Sequence, residues 1–200
     1  LRPLDMMPPY AALILAGGQA RRMGGEDKGL VKWAGHPLVT WVHAALLAQT
    51  PAPATVLLSA NRSFAAYAAL NFTPLPDLTP DFAGPLAGME AGLVACPHDW
   101  LLVVPCDAIT LPPDLVTQLW QAAQAGDAAS AVCAGDWHPS VVLLHRRTLP
   151  SLQAYLSGST RSIRGWLAGR AHQTVSFAAA LPNLNTLAAV AAHLPLSAAV

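Results

Sequence analysis

The sequence predicts an α/β fold of three layers, with helices on both faces of a mostly parallel central sheet. Short apolar runs of strand length recur along the chain, and segments with apolar residues at helical spacing separate them over the first two thirds. This alternation, with short connections, is typical of a parallel sheet buried on both faces. A hydrophobic fraction of 54% in 200 residues is enough to fill such a core.

Strands and helices are predicted from two different periods. The predicted strands are the apolar or β-branched runs at 11–15, 55–60, 72–76, 100–105, 128–133, 139–145 and 174–177. The predicted helices carry apolar residues three and four apart, several after a proline, at 37–49, 63–70, 85–96, 112–125, 148–156, 160–168 and 186–193. No repeat or linker divides the chain, so we expect a flexible proline-rich segment over 1–10 and one domain over 11–200.

Two of these segments indicate their own place in the fold. Residues 100–105 are apolar throughout, as a central parallel strand should be. The helix at 85–96 contains Gly88 and Gly92, which are expected to let it pack closely.

Composition excludes several classes of partner. The formal net charge is zero, so no global basic field favours nucleic acid. Three cysteines lie far apart with no CxxC pair, which fits neither a disulfide framework nor a zinc site and suits a reducing compartment. No segment approaches the roughly 20 apolar residues of a membrane span. We expect a cytoplasmic protein with no membrane or nucleic-acid partner.

A glycine-rich loop directly follows the first predicted strand. It holds Gly17, Gly18, Gly24, Gly25 and Gly29, together with Arg21, Arg22 and Lys28. Glycine lets the backbone approach a ligand closely and turn successive N–H groups inward as an anion-binding nest. Three cations in the same loop add the charge that an oligophosphate needs. The strand and loop together predict a triphosphate-binding site.

Two better-known phosphate loops do not match this stretch. The P-loop pattern fails because Gly29, and not Ser or Thr, follows Lys28. The dinucleotide pattern GxGxxG fails because Gly17 and Gly18 are adjacent. A flexible surface hairpin is the alternative interpretation of the loop taken alone.

Carboxylates follow two later strands. Asp107 comes directly after the apolar strand at 100–105, where a parallel sheet opens to ligand, so it is a candidate Mg²⁺ ligand or a turn-capping residue. Asp77 follows a shorter extended piece and is a candidate for a ribose, base or water-mediated metal contact, or a turn residue. For Asp27 the simple interpretation is an ion pair with the adjacent Lys28.

The stretch from Leu15 to Gly29, LAGGxxxRMGGxDKG, resembles the signature of the molybdenum cofactor guanylyltransferases, within the nucleotidyltransferase superfamily. The resemblance continues in the same order through GPLAGM at 84–89, PCD at 105–107, LPPDL at 111–115, HPSVVLLH at 138–145 and NLNT at 183–186. It covers roughly residues 11–190. It implies a Rossmann-like nucleotidyltransferase fold, with residues 11–110 on the GTP and Mg²⁺ side and residues 111–200 on the molybdopterin side.

The resemblance also implies roles for individual residues. The expected nucleotide-binding set is Leu15, Ala16, Gly17, Gly18, Arg22, Gly25, Lys28, Ser59, Asn61, Asp77, Gly84 and Asp107. Among these, Arg22, Lys28 and Asp107 are the expected catalytic residues, and Asp107 is the expected ligand of Mg²⁺ or Mn²⁺. The glycine in LAGG favours guanine, because a cytidylyltransferase relative typically has LAAG there.

One departure from the family concerns the end of the second strand. The family commonly has Asn-Ala-Asn where this chain has Ser59, Ala60 and Asn61. A serine hydroxyl lacks the two-sided hydrogen bonding of an amide, so the affinity or stringency of base recognition there is left open.

The implied reaction is transfer of GMP from GTP to the terminal phosphate of molybdenum-loaded molybdopterin, with release of pyrophosphate. The residues expected on the molybdopterin side are His138, Arg161, Arg164, Asn183 and Asn185. Arg161 and Arg164 lie three apart on a predicted helix and would share a phosphate-gripping face or a merely solvated one. The expected partners include cofactor-biosynthesis proteins and recipient molybdoenzymes in transient contact. The alternatives are a nucleotidyltransferase using CTP or another phosphorylated acceptor, and a non-catalytic nucleotide-binding adaptor.

Overall fold

Nine strands and six helices make up the part of the chain that this computed structural model describes, residues 7–17, 27–78 and 84–181. The strands are β1 (Tyr10–Leu15), β2 (Lys32–Trp33), β3 (His36–Pro37), β4 (Thr55–Ser59), β5 (Pro74–Leu75), β6 (Trp100–Pro105), β7 (Ala128–Cys133), β8 (Asp136–His145) and β9 (His172–Phe177). The helices are α1 (Leu38–Leu47), α2 (Phe64–Ala68), α3 (Pro85–Ala95), α4 (Leu115–Ala123), α5 (Leu149–Leu156) and α6 (Ile163–Ala168).

Seven of these strands form the central sheet, in the order β5-β4-β1-β6-β8-β7-β9. β1 pairs in parallel with β4 on one side and with β6 on the other. β8 alone runs against its neighbours, pairing antiparallel with both β6 and β7. β2 and β3 form a separate antiparallel hairpin. The predicted mostly parallel sheet is therefore confirmed.

Both faces of the sheet are covered, as alternation along β1 shows. Tyr10, Ala12 and Ile14 face the cluster that contains the apolar residues of α1, α2 and α4. Ala11 and Leu13 face the second cluster, which contains those of α3, α5 and α6. Because successive side chains of a strand point to opposite faces, a wholly apolar strand is what a central position requires.

Glycine brings α3 close to the sheet, as predicted. A Cβ placed on Gly92 would lie 2.5 Å from Cδ2 of Leu13 in β1. A Cβ on Gly88 would collide with Oγ of Ser59 and lie 2.9 Å from Cδ2 of Leu15. The two glycines therefore permit the separation between this helix and the carboxyl ends of β1 and β4.

The predicted elements are confirmed within the described residues, with corrected ends. The first strand begins at Tyr10, one residue before the prediction, and β8 begins at Asp136, three residues earlier than predicted. The predicted helix at 112–125 begins only at Leu115, because the Pro112–Pro113 pair stands in the preceding turn. The helix predicted at 186–193 lies outside the described residues.

Helix lengths bear on the membrane question. The longest helix in the described ranges is α3, with eleven residues. None of the helices that the structure describes combines the length and hydropathy needed to cross a bilayer.

Candidate active site

The carboxyl ends of four parallel strands meet at one edge of the sheet. Register places Leu15, the last residue of β1, beside Ser59 of β4 and Pro105 of β6. Asp107 follows two residues after β6, and Asp77 follows two residues after β5. The polar residues that the sequence places after separate strands are thereby brought to one edge, where parallel α/β sheets bind ligands.

A cavity of about 770 Å³ opens at this edge. The residues that line it are Leu15, Ala16, Gly17, Lys28, Ser59, Asp77, Gly84, Pro85, Gly88, Pro105, Cys106, Asp107, Ala108, Asp136, His138, Pro139, Ser140, Ile163 and Leu181. Nine of these were predicted from the sequence as site residues: Leu15, Ala16, Gly17, Lys28, Ser59, Asp77, Gly84, Asp107 and His138. The volume falls within the range of small-molecule sites.

An ion pair joins the glycine-rich loop to the end of β6 across this cavity. Nζ of Lys28 lies 2.6 Å from Oδ2 of Asp107, and the two side chains are 20% and 13% exposed. The residues are 79 positions apart in the chain. The cation and the acid that the sequence singled out therefore share one mostly buried location.

Asp27 does not act as the ion-pair partner of Lys28, so that interpretation is wrong. Its Oδ1 accepts hydrogen bonds from the Tyr67 hydroxyl at 2.7 Å and from the Gly29 amide at 3.3 Å. Its Oδ2 lies 3.6 Å from Nε of Arg62. With its side chain only 3% exposed, Asp27 caps the 3-10 turn at Lys28–Leu30 and leaves the ammonium of Lys28 to Asp107.

Asn61 clamps Asp77 with two hydrogen bonds. Its Nδ2 donates to Oδ2 of Asp77 at 2.8 Å, and its Oδ1 accepts from the Asp77 amide at 2.8 Å. Burial raises the pKa of Asp77 and the charge of Glu90 adds to that rise, while the bond from Asn61 opposes it. Asn61 itself does not line the cavity; it fixes the carboxylate that does.

Gly84 and Pro85 shape the entrance to α3. Gly84 has φ +73°, a conformation that glycine adopts without steric cost, and Pro85 follows at the first turn of the helix. Together with Gly88 they bring the start of this eleven-residue helix to the cavity wall. In the GPLAGM segment, Gly84 and Pro85 thus set the backbone conformation at the start of α3, and Gly88 allows the helix to pack closely against the sheet.

Part of the cavity wall comes from the amino end of the reversed strand β8. The register between β7 and β8 slips at Ser130/Ala131, so that Ala131 pairs with His138 while Ser130 pairs with Val142. Pro139 lies within the slip, and proline without an N–H group is found in sheets at such irregularities. The slip turns His138, Pro139 and Ser140 toward the cavity.

The two arginines proposed for the second substrate do not share a helical face. α6 begins at Ile163, so Arg161 lies exposed before the helix, and Ser162 is its N-cap. The guanidinium of Arg164 stacks 5.0 Å from the centroid of Trp137 and donates to that residue's carbonyl. Neither arginine lines the cavity.

The three cysteines are free thiols, and all of them are buried. Cys106 lies between the strand end and Asp107, and burial, reinforced by the negative charge of Asp107, raises the pKa of its thiol to about 12. A thiol held protonated at neutral pH is a poor nucleophile. Cys106 is therefore not a candidate nucleophile in this cavity.

The cavity offers carboxylates as ligands for a divalent cation, among them Asp77 and Asp107. The described residues contain no cluster of three or more His, Cys, Asp or Glu side chains. Mg²⁺ needs no such cage, because it takes one or two carboxylates and completes its shell with water and phosphate oxygens. The Asp107 carboxylate fits that requirement when a phosphate ligand is present.

The predicted site residues and the observed cavity lining overlap only in part. Gly18, Arg22, Gly25, Asn183 and Asn185 lie outside the described residues. The cavity-lining residues that the sequence did not single out for this site include Asp136, Pro139, Ser140 and Ile163. Pro139 inside a strand-like run was the available signal for the irregularity that brings this wall inward.

Comparison with known families decides the relationship. The MobA-like NTP transferase domain matches residues 12–175. The chain belongs to this family. The residues that match the MobA-like family include both members of the Lys28–Asp107 pair.

Individual relatives agree with the assignment to the MobA-like family. The chain is 43% identical over 184 residues to the molybdenum cofactor guanylyltransferase of Serratia proteamaculans, covering 90% of this chain and 92% of that protein. It is 44% identical over 184 residues to the protein of the same name from Cupriavidus metallidurans, covering 88% and 89% of the two chains.

Solved structures show the same fold. Molybdopterin-guanine dinucleotide biosynthesis protein A from Archaeoglobus fulgidus superposes with a TM-score of 0.70 at 18% identity, covering 91% of this chain and 95% of that one. CMP:2-keto-3-deoxy-manno-octonic acid synthetase, in complex with CTP, gives 0.74 at 15% identity, covering 92% and 96%. The expected Rossmann-like nucleotidyltransferase fold is confirmed; at these identities the likeness concerns the fold alone.

Proposed function

We propose that this chain transfers GMP from GTP to the terminal phosphate of molybdenum-loaded molybdopterin, forming the guanine dinucleotide cofactor and releasing pyrophosphate. The observation that carries the proposal is the Lys28–Asp107 pair in a cavity at the carboxyl edge of the sheet. A cation and an acid in contact there provide one group for phosphate oxygens and one for a metal. The names of the relatives at 43% and 44% identity support guanine as the base and molybdopterin as the acceptor.

The two halves of the cavity have different proposed roles. GTP lies on the side built by residues 11–110, with Leu15, Ala16 and Gly17 at the base and sugar, and Asp77, held by Asn61, at the nucleoside. Gly18, Arg22 and Gly25 belong to the same proposed loop. The acceptor lies on the side built by residues 111–200, against the wall that contains His138.

Catalysis requires charge neutralisation more than proton transfer. The acceptor phosphate is already an anion, so no strong general base is needed at the attacking oxygen. The Lys28 ammonium neutralises negative charge on the phosphates as the bond to pyrophosphate breaks, and Arg22 is proposed to act with it. Asp107 would hold Mg²⁺ or Mn²⁺, which when bound supplies further positive charge at the phosphate oxygens. Orientation of donor and acceptor in line provides the rest.

The proposed setting follows from the same chemistry. Both substrates are small phosphorylated molecules, and a finished cofactor must reach an acceptor enzyme, so we propose transient contacts with cofactor-biosynthesis proteins and molybdoenzymes. A cytoplasmic location is proposed because the three cysteines are free thiols and GTP is the substrate.

An assay that compares different nucleotides as substrates tests the function. Purified protein is incubated with Mg²⁺, molybdenum-loaded molybdopterin and GTP, CTP or ATP in separate reactions, and pyrophosphate and dinucleotide are measured. We expect acceptor-dependent pyrophosphate release with GTP. Release with CTP alone would assign a cytidylyltransferase, and tight GTP binding with no release would indicate a binding protein. Omission of the acceptor controls for simple hydrolysis.

A further inference from the structure

We infer that Tyr67 is a positioning residue for Lys28 and acts through the carboxylate of Asp27. The inference rests on the proposed function, because it concerns the cation assigned there to the phosphates. Tyr67 belongs to α2, is fully buried and does not line the cavity. Its effect on the reaction is therefore indirect.

The link from Tyr67 to Lys28 consists of two contacts. The Tyr67 hydroxyl donates to Oδ1 of Asp27 at 2.7 Å, across 40 positions of sequence. The same oxygen accepts from the amide of Gly29, the residue after Lys28, at 3.3 Å. The Asp27 carboxylate thus ties the residue before Lys28 to the amide of the residue after it, and Tyr67 fixes the direction of that carboxylate.

The turn that carries Lys28 is short and depends on this cap. It spans Lys28–Leu30, and at its start the Leu30 amide donates to the Asp27 carbonyl at 2.9 Å and the Gly29 amide to the Asp27 carboxylate at 3.3 Å. The end of the turn is tied by the Val31 amide, which donates to the Lys28 carbonyl at 3.2 Å. A change in the direction of the Asp27 carboxylate would therefore rotate the residue from which the ammonium projects.

Glycine at position 29 shows how tightly the hydroxyl is fitted. A Cβ built there would lie 2.5 Å from Oη of Tyr67 and 3.3 Å from Cβ of Ala16. The hydroxyl fills the space that a side chain at position 29 would take. The DKG sequence at 27–29 and Tyr67 are thus packed against each other, although α2 follows β4 in the chain.

The hydroxyl remains the donor in this contact. Burial raises the pKa of Tyr67 well above its usual value, and the bond to Asp27 and its negative charge raise it further. A protonated phenol facing a buried carboxylate has one productive orientation. Arg62 contributes positive charge from the other side of Asp27, so the carboxylate is held from two directions.

The test compares two fully buried tyrosines whose hydroxyl groups donate to different partners. Tyr67→Phe removes the hydroxyl that contacts Asp27. Tyr10→Phe removes an equally buried hydroxyl, which donates to the Pro51 carbonyl at 2.9 Å and contacts neither the cavity nor Asp27. Both variants are expected to lower the thermal midpoint. Only Tyr67→Phe is expected to lower kcat for GMP transfer, by about tenfold, as a modest misplacement of a charged group would.

A second readout follows Lys28 without any turnover. The chain has only two lysines, Lys28 and Lys32, so protein labelled with carbon-13 at the lysine ε-methylene gives two assignable NMR signals. Lys32→Arg identifies them. We expect the Lys28 signal to shift or broaden in Tyr67→Phe and to stay at its wild-type position in Tyr10→Phe. Asp27→Ala breaks the same link from its other end and should give the Tyr67→Phe pattern, which covers the case that Tyr67→Phe does not fold.

The outcomes separate the two proposals. If folded Tyr67→Phe keeps both the wild-type kcat and the wild-type Lys28 signal, the inference is wrong. It is also wrong if Tyr10→Phe moves them equally, since the effect would then be general loosening. If the wild-type protein makes no dinucleotide, the proposed function fails, and the Lys28 signals alone decide whether Tyr67 positions that residue.

Discussion

Removing Lys28 and Asp107 singly and together tests whether they act as one unit. Each alanine variant should lower kcat/KM for dinucleotide formation by about 10²–10³-fold, or about 3–4 kcal/mol, the usual cost of losing one group that stabilises developing charge. Independent groups would multiply to about 10⁴–10⁶-fold in the double variant. Because the two charged atoms lie 2.6 Å apart, we expect instead that the double variant falls within about tenfold of the worse single variant.

The free energy of unfolding gives a second measure of the Lys28–Asp107 pair. The side chains are 20% and 13% exposed, between a surface pair worth about 0–1 kcal/mol and a buried pair whose disruption costs about 3–5 kcal/mol. We therefore expect each single variant to lose about 2 kcal/mol in urea unfolding. Asp99→Ala is the matched control, since its exposed pair with Arg146, at 4.0 Å, lies at the other end of β6.

The cycle is decided by kcat/KM, obtained from initial rates of product formation with molybdenum-loaded molybdopterin over a range of GTP concentrations at a fixed Mg²⁺ concentration. Full multiplication of the single effects would refute a shared role, and near-normal activity of folded Asp107→Ala would remove the metal assignment. A loss in Asp99→Ala as large as in Asp107→Ala would show that charge anywhere along β6 matters.

Three further predictions concern the surroundings of the pair. Gly88→Ala should cost about 1–3 kcal/mol in urea unfolding, because its Cβ meets Oγ of Ser59; unchanged stability would contradict the packing. Burial raises the pKa of Asp77, so its folded-state pKa exceeds the unfolded one and the carboxylate disfavours folding as the pH rises through that folded value. Asp77→Asn should therefore have a higher thermal midpoint than wild type at pH 7, with the gap closing toward pH 3, and bind GTP less tightly; a lower midpoint at pH 7 would be inconsistent with this. Gly29→Ala should destabilise the wild type more than it destabilises the Tyr67→Phe background, which lacks the oxygen 2.5 Å from the new Cβ; equal losses would count against that contact.

The sequence predicts the sheet well because burial on both faces leaves a plain signal. Residues 100–105 are apolar without interruption, and β6 spans those residues. Helix ends are predicted less well where two prolines or a cap compete, as at Leu115 and Ile163. The direction of β8 could not be predicted from its composition, because an apolar strand in the interior of a sheet can pair either parallel or antiparallel with its neighbours.

The site, like the fold, could be predicted from the sequence only in part. The glycine-rich loop identifies Lys28 as a candidate and the end of an apolar strand identifies Asp107, but their 2.6 Å contact joins positions 79 apart in the chain, which only the fold brings together. The sequence places Asp27 next to Lys28 and suggests a pair, whereas the fold supplies Tyr67 and Arg62 as nearer partners for that carboxylate. Adjacent charges in a chain need not face each other, since the backbone turn between them sets their directions.

The register slip in β8 divides that strand into two parts that have different pairing partners. From Val142 onward it is anchored to β6 in the middle of the sheet, while residues before Pro139 pair only with β7. Substitutions or length changes near the Ala134–Gly135 turn would therefore reshape the cavity wall that contains His138 while leaving the pairing of β8 with β6 intact. Because that wall is the one proposed to hold the acceptor, a library confined to residues 134–140 is the place to look for altered acceptor use.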